Sequence, residues 1–524
     1  MASKKSKKQA PSLPEYQVKN ALVNYYLVLM FTVFPLFFTH KYTNIRHDKL
    51  NLFLVLSCSL VVCEVIILVL NSRQRKKEKG LPGEKWYNRL SLTDYAFGAM
   101  VLLYVLSTLL SENPADSFSG ERGRNNGLFL LIVYFLIYIV ISRLFKFKEY
   151  VFALFAAASM AVYILCILNF FGVDPLGMYV GYSDKVIADF ISTIGNKNIM
   201  SCFCCLSVPL FVMMYMDNAN FLTRNLYLTA SGLGFAAMLC ADSESGFLGL
   251  VPTMAIILLY SVRVLYRLRR FFSAVSAMLF WSKVLWVFML ISGGSQKDLG
   301  AIQRILICDY RTLIALICVG VIASLLHYLC MVDAGARLPK AVFYVLLGVY
   351  GVVIIAAVSM FVYYTFIDTE TKLGAFTRYF RFDEKWGTHR GYMWIKSWEI
   401  FTNSSFKNLL LGCGPDTFYI AFRPYFSELS ERFGNSSTNC AHNEFLNYLI
   451  TTGVLGLGAY LTVFGSAVVN VFRKAEKNAL AFMFIIPVVC YLIQSTVNLA
   501  TPITTPLLFI FLALSQAALR RSEN

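Results

Sequence analysis

The chain has 524 residues, of which 57% are hydrophobic and 15% charged, and its formal net charge is +17. An ordinary soluble protein has about 25% charged residues, and a soluble core cannot absorb so large an apolar fraction. The abundance of aromatic and aliphatic side chains also excludes a disordered chain. The composition therefore predicts a polytopic membrane protein.

Fourteen stretches of the chain are long and apolar enough to cross a bilayer as helices, which takes about 20 residues because the span must satisfy its own backbone polar groups. They lie near residues 20–39, 51–70, 93–110, 127–141, 150–171, 199–216, 226–240, 246–262, 272–291, 312–331, 341–366, 446–471, 479–498 and 502–518. The fourth, seventh and last are short or weakly bounded, so twelve or thirteen spans remain possible. The pattern predicts an all-α bundle of about 12–14 transmembrane helices.

The distribution of Lys and Arg among the loops predicts the orientation of this bundle. With the N-terminus in the cytoplasm, the inner loops and tails hold 27 of these residues and the short outer loops hold 10. Positive residues are enriched in short cytoplasmic loops, so we expect both termini inside. Most of the positive charge then sets topology and contacts membrane lipid, and nucleic acid is not an expected partner. The predicted organisation is a basic cytoplasmic tail (1–19), a helix bundle (20–366), a large external loop (367–441), C-terminal transmembrane helices (442–518) and a short cytoplasmic tail (519–524).

The hydrophobic pattern is interrupted at length over residues 367–441, and loops of this size usually have a function. Two amphipathic, aromatic-rich pieces, 390–400 and 416–433, flank the turn Gly412-Cys413-Gly414-Pro415. Tyr and Trp suit the boundary between lipid and water. We therefore predict a lid of interfacial helices over the outer face of the bundle.

Histidine and arginine side chains in and beside this loop are the first candidates for chemistry. His442 lies at the mouth of the next span, where a histidine can act as a base or proton carrier. The alternative is a surface or capping histidine. Arg378, Arg381 and Arg390 lie in a basic, aromatic stretch, and a guanidinium fork matches phosphate oxygens. Alternatively, they pair with acidic neighbours as a solvated network or contact lipid phosphates.

A second candidate region is the turn Gly195-Asn196-Lys197-Asn198 at the start of the sixth span. Asn at a helix start is usually a cap. A cationic Lys197 at a helix N-terminus is unfavourable unless an anion binds there, and helix N-termini do bind phosphates. The sequence has no nucleotide-binding loop and no zinc motif. We therefore expect neither a metal nor a cofactor.

Three motifs stand in a fixed order along the chain. The first is Gly195-Asn196-Lys197-Asn198. The second runs from Arg390-Gly391-Tyr392-Met393-Trp394 to Gly412-Cys413-Gly414-Pro415-Asp416-Thr417-Phe418. The third is Ala441-His442-Asn443-Glu444-Phe445-Leu446 with Gly453-Val454-Leu455-Gly456. They resemble the Gly-Asn-Pro-Asn turn, the Arg-x-x-x-Trp helix with its Gly-x-Gly-x-x-x-Phe turn, and the His-Asn-x-x-Leu…Gly-x-x-Gly signature of the O-antigen ligase and polymerase superfamily. The resemblance covers roughly residues 190–465.

The resemblance implies a membrane glycosyltransferase with a GT-C-like helical fold in the bacterial inner membrane. Such an enzyme takes a glycan from undecaprenyl diphosphate and passes it to a glycan, lipid or protein acceptor on the outer face, by an inverting displacement without a metal. His442 would be the general base, and Arg390 would hold the diphosphate leaving group. Arg378, Arg381 and Lys197 would assist, and Asn196, Asn198 and Asn443 of the matching motifs would contact substrate.

Two departures from the family pattern concern the substrate site. The family often has Ser-Arg-Gly between the spans that correspond to the seventh and eighth, where this chain has Ser243-Glu244-Ser245-Gly246. An acid then stands where an arginine would contact diphosphate, and Arg423, Arg381 or Arg122 are candidates to replace it. About fourteen spans also exceed the usual twelve, so the resemblance covers the N-terminal third poorly.

Several alternatives stay open at this level. A ligase and a polymerase differ in the acceptor, which the sequence does not identify. A flippase for lipid-linked oligosaccharides would also have many spans, but it should show internal repeats and ionisable residues within its spans. A structural role in an assembly complex is a third reading. Cys413 and Cys440 both lie in the external loop, and the sequence does not fix whether they form a disulfide.

Overall fold

A computed structural model describes residues 14–77, 90–121, 124–292, 299–333, 335–371, 373–434 and 437–522. Residues 1–13 of the predicted basic tail, Arg122 and the last two residues of the chain lie outside this description. The helices of the first half are α1 (Pro14–Leu36), α2 (Ile45–Lys77), α3 (Leu92–Leu109), α4 (Pro114–Ser119), α5 (Leu128–Leu144), α6 (Glu149–Phe170), α7 (Asp184–Asp189), α8 (Lys197–Asp217), α9 (Phe221–Cys240), α10 (Glu244–Ser261) and α11 (Leu265–Ile291). A short antiparallel pair, β1 (Phe190–Ile191) and β2 (Gly195–Asn196), precedes α8.

The second half continues the helical pattern. Its helices are α12 (Ala301–Cys308), α13 (Tyr310–Val332), α14 (Lys340–Val362), α15 (Thr377–Phe380), α16 (Trp386–Thr402), α17 (Phe406–Leu411), α18 (Phe418–Phe422), α19 (Phe426–Phe433), α20 (Glu444–Arg473), α21 (Ala479–Gln494) and α22 (Thr505–Ser522). A π-helical turn (Tyr363–Ile367) extends α14, and short 3-10 turns occupy Gly374–Phe376, Arg423–Tyr425 and Ser495–Val497.

Fourteen helices of the described residues overlap the fourteen apolar stretches that the sequence predicts, namely α1–α3, α5, α6, α8–α11, α13, α14 and α20–α22. Within the described ranges, ten helices are long and apolar enough to cross a membrane. Helices α1 and α5 contain shorter apolar stretches, whereas α9 and α22 carry more polar residues among their apolar ones. The predicted fold class, an all-α polytopic membrane protein, is confirmed.

Helix α8 lies at the centre of the bundle. All of its apolar window is buried, and it packs against α9, α10 and α21. The Cys202-Phe203-Cys204-Cys205 run is enclosed there, because small thiols pack like apolar side chains. The opposite case is α14, which buries none of its residues and makes its few contacts with α10 and α15.

Residues 368–443 connect α14 to α20 through the five short helices α15–α19. Their apolar side chains form a small core of their own, which Ile450 of α20 closes; its other buried members are Tyr392, Met393, Phe418, Phe422, Leu429 and Ala441. We call residues 368–443 the lid, and the end of the bundle on which they pack the lid end. The starts of α2, α8, α10 and α20 all lie at this end.

Candidate active site

Motifs that are far apart in the chain meet at the lid end. Arg390 of α16 lies within electrostatic range of Cys440 and of Glu244 at the start of α10. The hydroxyl of Ser243 donates a hydrogen bond of 2.7 Å to Oδ1 of Asn198 at the start of α8. The structure therefore brings the first turns of α8, α10, α16 and α20 into one region.

His442 occupies the turn that leads into α20. Its φ is +49°, a conformation that costs free energy for a residue other than glycine. Asn443 follows as the N-cap of α20, and its Oδ1 accepts a hydrogen bond of 3.0 Å from the backbone N–H of Leu446. Nδ1 of His442 is buried and has no hydrogen-bond partner among the described residues. The cap fixes the backbone beside His442, and the ring lies next to the buried Cys440 thiol.

A left-handed turn sets the position of Arg390. The three residues before it, 387–389, all have left-handed backbone conformations, with φ between 59° and 71°. Regular helix then begins at Arg390, and one turn later Nε1 of Trp394 donates a hydrogen bond of 2.9 Å to the Ala441 carbonyl. Residues four apart share one face of a helix. Arg390 therefore faces the segment that carries His442.

The thiol of Cys440 is a neighbour of both Arg390 and His442. Burial by itself raises the pKa of this thiol, but the charges of His442 and Arg124, together with the backbone N–H of His442, lower it to about 6. Near neutral pH the side chain is a thiolate. It places a negative charge beside His442.

We expect Cys440 to stabilise the fold increasingly as the pH rises from about 6 to about 9. In the folded chain the thiolate forms above about pH 6, whereas an unfolded cysteine keeps its proton up to its ordinary pKa of 9.0. Between these values the unfolded chain binds more protons, so the free energy of unfolding rises with pH. Denaturant titrations of the wild type and of Cys440→Ala across this range should therefore diverge as the pH increases.

Cys413 provides the matched control for this measurement. Burial raises the pKa of its thiol, so the side chain keeps its proton in both states below pH 9. Cys413→Ala should give a stability difference from the wild type that does not change across the range. An equal pH trend for the two variants would contradict a thiolate at Cys440.

Arg124 is a residue of this region that no motif predicts. It lies in the loop between α4 and α5, is 2% exposed, and forms an ion pair with the buried Asp416, with 3.3 Å between Nε and the nearer carboxylate oxygen. Its Nη1 donates a hydrogen bond of 3.0 Å to the Asn439 carbonyl. Arg124 therefore ties the Gly412–Asp416 turn to the segment that precedes His442. The sequence offers one signal, a pair of charged residues in a short external loop.

Glu121 belongs to the same loop and is half-buried. Burial and the charge of Asp416 raise the pKa of Glu121 to about 7, although Arg124 opposes them. The carboxyl group is thus partly protonated at neutral pH, and it contributes less than a full negative charge against the arginines around it.

The start of α8 shows how the Asn-containing turn is used. Asn196 is the N-cap of α8, and its Oδ1 accepts a hydrogen bond of 2.9 Å from the backbone N–H of Asn198. Oδ1 of Asn198 in turn accepts a hydrogen bond from the Ser243 hydroxyl. The side-chain amide of Asn498 donates a hydrogen bond of 3.4 Å to the backbone carbonyl of Asn198. Both asparagines are therefore engaged with protein groups. Lys197, the first residue of α8, is half-buried.

Glu244 takes a different role from the arginine that the family pattern has at this place. Its Oε1 accepts a hydrogen bond of 2.7 Å from the Tyr379 hydroxyl of α15. The acid thus fastens the first lid helix to the start of α10, and its charge lies near Arg390.

Other predicted arginines lie away from this region or outside the description. Arg381 donates hydrogen bonds to the carbonyls of Tyr364, Asp368 and Thr371, so it fastens the end of α14. Arg423 is exposed in a 3-10 turn of the lid. The backbone of Arg378 lies in α15, but its side chain is outside the described part of the structure. Neither Arg381 nor Arg423 replaces the family arginine by contact.

Cys413 and Cys440 do not form a disulfide in the structure. Cys413 and Cys440 are both free thiols. Cys413 lies beside the Thr417 hydroxyl, 3.2 Å from its sulfur, while Cys440 lies beside His442. Among the described residues, no group of three or more His, Cys, Asp and Glu side chains is arranged to hold a metal ion.

A narrow cavity joins these elements. Its lining comes from α3, the α4–α5 loop, the lid, α20 and the segment before α22, namely Tyr104, Arg124, Asn126, Asp416, Cys440, His442, Asn443, Glu444, Asn447, Tyr448, Thr451, Leu499 and Ala500. The cavity has room for about one water molecule. The site is thus nearly closed with the lid in this position.

A comparison with known protein families finds a match over part of the chain. Residues 301–461 match the family model described as O-antigen ligase. The matched segment runs from α12 through the lid into α20, and it includes both Arg390 and His442. No curated protein matches the chain. Over residues 301–461, which make up less than a third of the chain, the protein is similar to the O-antigen ligase family.

Proposed function

We propose that the protein transfers or polymerises a glycan from undecaprenyl diphosphate at the outer face of the cytoplasmic membrane, with both termini in the cytoplasm. The observation that carries this proposal is the hydrogen bond of 2.9 Å from Nε1 of Trp394 to the Ala441 carbonyl, which joins the helix of Arg390 to the segment of His442. A base and a guanidinium on facing segments are what a glycosyl displacement from a diphosphate requires.

In the proposed reaction His442 takes the proton of the acceptor hydroxyl. The acceptor oxygen forms a bond to the anomeric carbon, and the bond from that carbon to the diphosphate oxygen breaks. The diphosphate leaves with the electron pair, and the anomeric configuration inverts. No metal is assigned a part in this displacement.

Arg390 is proposed to stabilise the leaving group. Burial lowers the pKa of its guanidinium, although Cys440 and Glu244 offset part of the effect. A positive charge held in a half-buried site interacts more strongly with an anion than one in water. Negative charge grows on the diphosphate as the glycosidic bond breaks, so Arg390 contributes most in the transition state.

We expect His442→Ala and Arg390→Ala each to lower glycan transfer by about 10²–10⁴-fold. The assay uses the full chain in proteoliposomes with a lipid-linked oligosaccharide donor, and it follows product length and remaining donor. His327→Ala and Arg311→Ala are matched controls, because both side chains are exposed. His327 contacts Arg269, and Arg311 forms an ion pair with Asp309. These controls should keep wild-type rates.

The products separate the remaining alternatives. A growing ladder of lipid-linked glycans indicates a polymerase, whereas glycan on a different acceptor indicates a ligase. Donor that crosses the bilayer without any new glycosidic bond would indicate a flippase. Wild-type transfer by both His442→Ala and Arg390→Ala would contradict the assignment of the site.

A further inference from the structure

A basic cleft lies at the end of the bundle opposite to the lid end, and the proposed reaction does not use it. The cleft has a volume of about 110 Å³ and forms where the α10–α11, α13–α14 and α20–α21 loops meet. Its lining consists of Tyr260, Arg263, Val264, Arg267, Arg337 and Glu476. Three guanidinium groups and one carboxylate therefore line a single space, in which positive charge predominates.

Contacts between these segments hold the cleft in shape. The backbone N–H of Leu265 donates a hydrogen bond of 3.1 Å to the Ala336 carbonyl, which ties the α13–α14 loop to the start of α11. Nε of Arg267 lies 3.1 Å from Oδ1 of Asp217 at the end of α8, and its Cζ lies 4.5 Å from the centre of the Tyr260 ring. Arg267 is thus fixed from two sides, so a ligand does not have to order it.

The other two arginines of the cleft are available to an anion. Arg263 forms an ion pair with Glu476, but that carboxylate side chain is 69% exposed, and water screens such a pair. Arg337 is exposed, and among the described residues no hydrogen bond or ion pair engages it. A guanidinium offers parallel N–H groups that match the oxygens of a phosphate. The chemistry of the cleft therefore favours a phosphate group over a neutral or cationic ligand.

An uncovered apolar helix begins beside the cleft. Helix α14 starts at Lys340, three residues after Arg337, and buries none of its residues. Tyr344 and Val345, in the second turn of α14, are exposed. The acyl chains of a phospholipid can pack on this surface while the headgroup reaches the cleft, whereas a phosphate from solution gains only the polar contacts.

We propose that this cleft binds the phosphate of an anionic phospholipid headgroup, from the leaflet opposite to the lid. Basic pockets between transmembrane helices are typical sites for such headgroups. In the proposed orientation this leaflet faces the cytoplasm. The bound lipid links the α10–α11 loop to the α13–α14 loop. The inference goes beyond the proposed function and does not depend on it.

The unfolding temperature of the full chain in neutral detergent micelles tests this inference, because a ligand that binds the folded state raises that temperature. Tryptophan fluorescence follows unfolding while phosphatidylglycerol or phosphatidylcholine is added. We expect the anionic phosphatidylglycerol to raise the unfolding temperature at concentrations where phosphatidylcholine does not. Arg337→Ala should need about 5-fold more phosphatidylglycerol for the same rise, the usual effect of one basic residue near a membrane surface. Arg337→Lys should recover part of the difference, because it restores the charge but not the fork.

Arg269→Ala is the matched control for this measurement. Arg269 belongs to the same helix as Arg267 but lies outside the lining of the cleft, and it donates a hydrogen bond of 2.6 Å to Nδ1 of His327. This variant should respond to phosphatidylglycerol as the wild type does. Because the Arg337 side chain is exposed, Arg337→Ala should unfold at the wild-type temperature when no lipid is added; Arg337→Gln replaces it if it does not.

The lipid assignment has clear contrary outcomes. The inference fails if phosphatidylglycerol stabilises the wild type no more than phosphatidylcholine does, or if Arg337→Ala and Arg269→Ala respond alike. An equal rise with inorganic phosphate, measured against chloride at the same ionic strength, would assign the cleft to free phosphate and overturn the lipid assignment. None of these results bears on glycan transfer at the lid end, which the transfer assay measures separately.

Discussion

Replacement of Asp416 by alanine is expected to destabilise the protein by about 3–5 kcal/mol, the usual effect of removing one partner of a buried ion pair. The side chains of Arg124 and Asp416 are 2% and 1% exposed, so the guanidinium would stay buried without its counter-charge. Oδ2 of Asp416 also accepts hydrogen bonds from two backbone N–H groups, that of Glu121 at 3.0 Å and that of Asn126 at 2.9 Å. Both donors would lose their acceptor. Denaturant titration in mixed micelles measures the change in the free energy of unfolding.

An exposed ion pair of the lid serves as the control for Asp416. Glu384 pairs with Arg432, and each side chain is 41% exposed. Because water screens such a pair, Glu384→Ala should change the free energy of unfolding by less than about 1 kcal/mol. If Asp416→Ala has no larger effect than Glu384→Ala, the buried pair does not hold the α4–α5 loop against the lid.

Substitution of Gly412 or Gly453 by alanine is expected to have the second large effect, about 3–5 kcal/mol from combined backbone strain and overpacking. Gly412 has φ +71°, and a Cβ there would lie 2.2 Å from the Thr451 carbonyl carbon. Gly453 has φ +67°, and its Cβ would lie 2.3 Å from the backbone of Leu410. The two glycines allow the lid turn and the kink of α20 to meet backbone to backbone. Each alanine variant should therefore lose stability and glycan transfer together.

Gly458 is the matched control, because it lies in the same helix as Gly453 and nothing from the surrounding structure comes within 4 Å of the place that a Cβ would take. Gly458→Ala should leave stability unchanged or raise it by up to about 1 kcal/mol, since alanine favours helix. Retention of wild-type stability by Gly412→Ala and Gly453→Ala would show that the lid and α20 do not depend on this contact. The hydrogen bonds from Cys413 N–H to Ile450 and from Gly414 N–H to Thr451, of 3.2 and 2.9 Å, would then be dispensable.

The fold could be predicted because hydropathy over about 20 residues reports directly on membrane spans. Helices α9 and α22 correspond to two of the weakly bounded stretches, and their polar residues have a physical explanation. Ser515 and Gln516 of α22 are buried inside the protein, so this helix meets neighbouring helices rather than lipid. A helix enclosed by protein tolerates polar residues that a lipid-facing helix does not.

The site could be predicted in part. His442 and Arg390 lie in short motifs whose spacing is visible in the chain, and the structure places them on facing segments. Arg124 could not be found in this way, because its proximity to Cys440 depends on how segments more than 300 residues apart in the chain pack together. The left-handed turn at 387–389 was also hidden, since only its first residue is glycine.

The difference in burial between α8 and α14 determines which substitutions each helix tolerates. Both are apolar over their whole length, yet α8 is enclosed on every side and α14 buries no residue. In α8 a substitution must conserve volume and shape, because the close-packed interior resists both cavities and overpacking. In α14 the surroundings are lipid, which accepts any side chain of similar hydropathy. Divergence among related chains should therefore concentrate in α14, while α8 keeps its side chains nearly fixed.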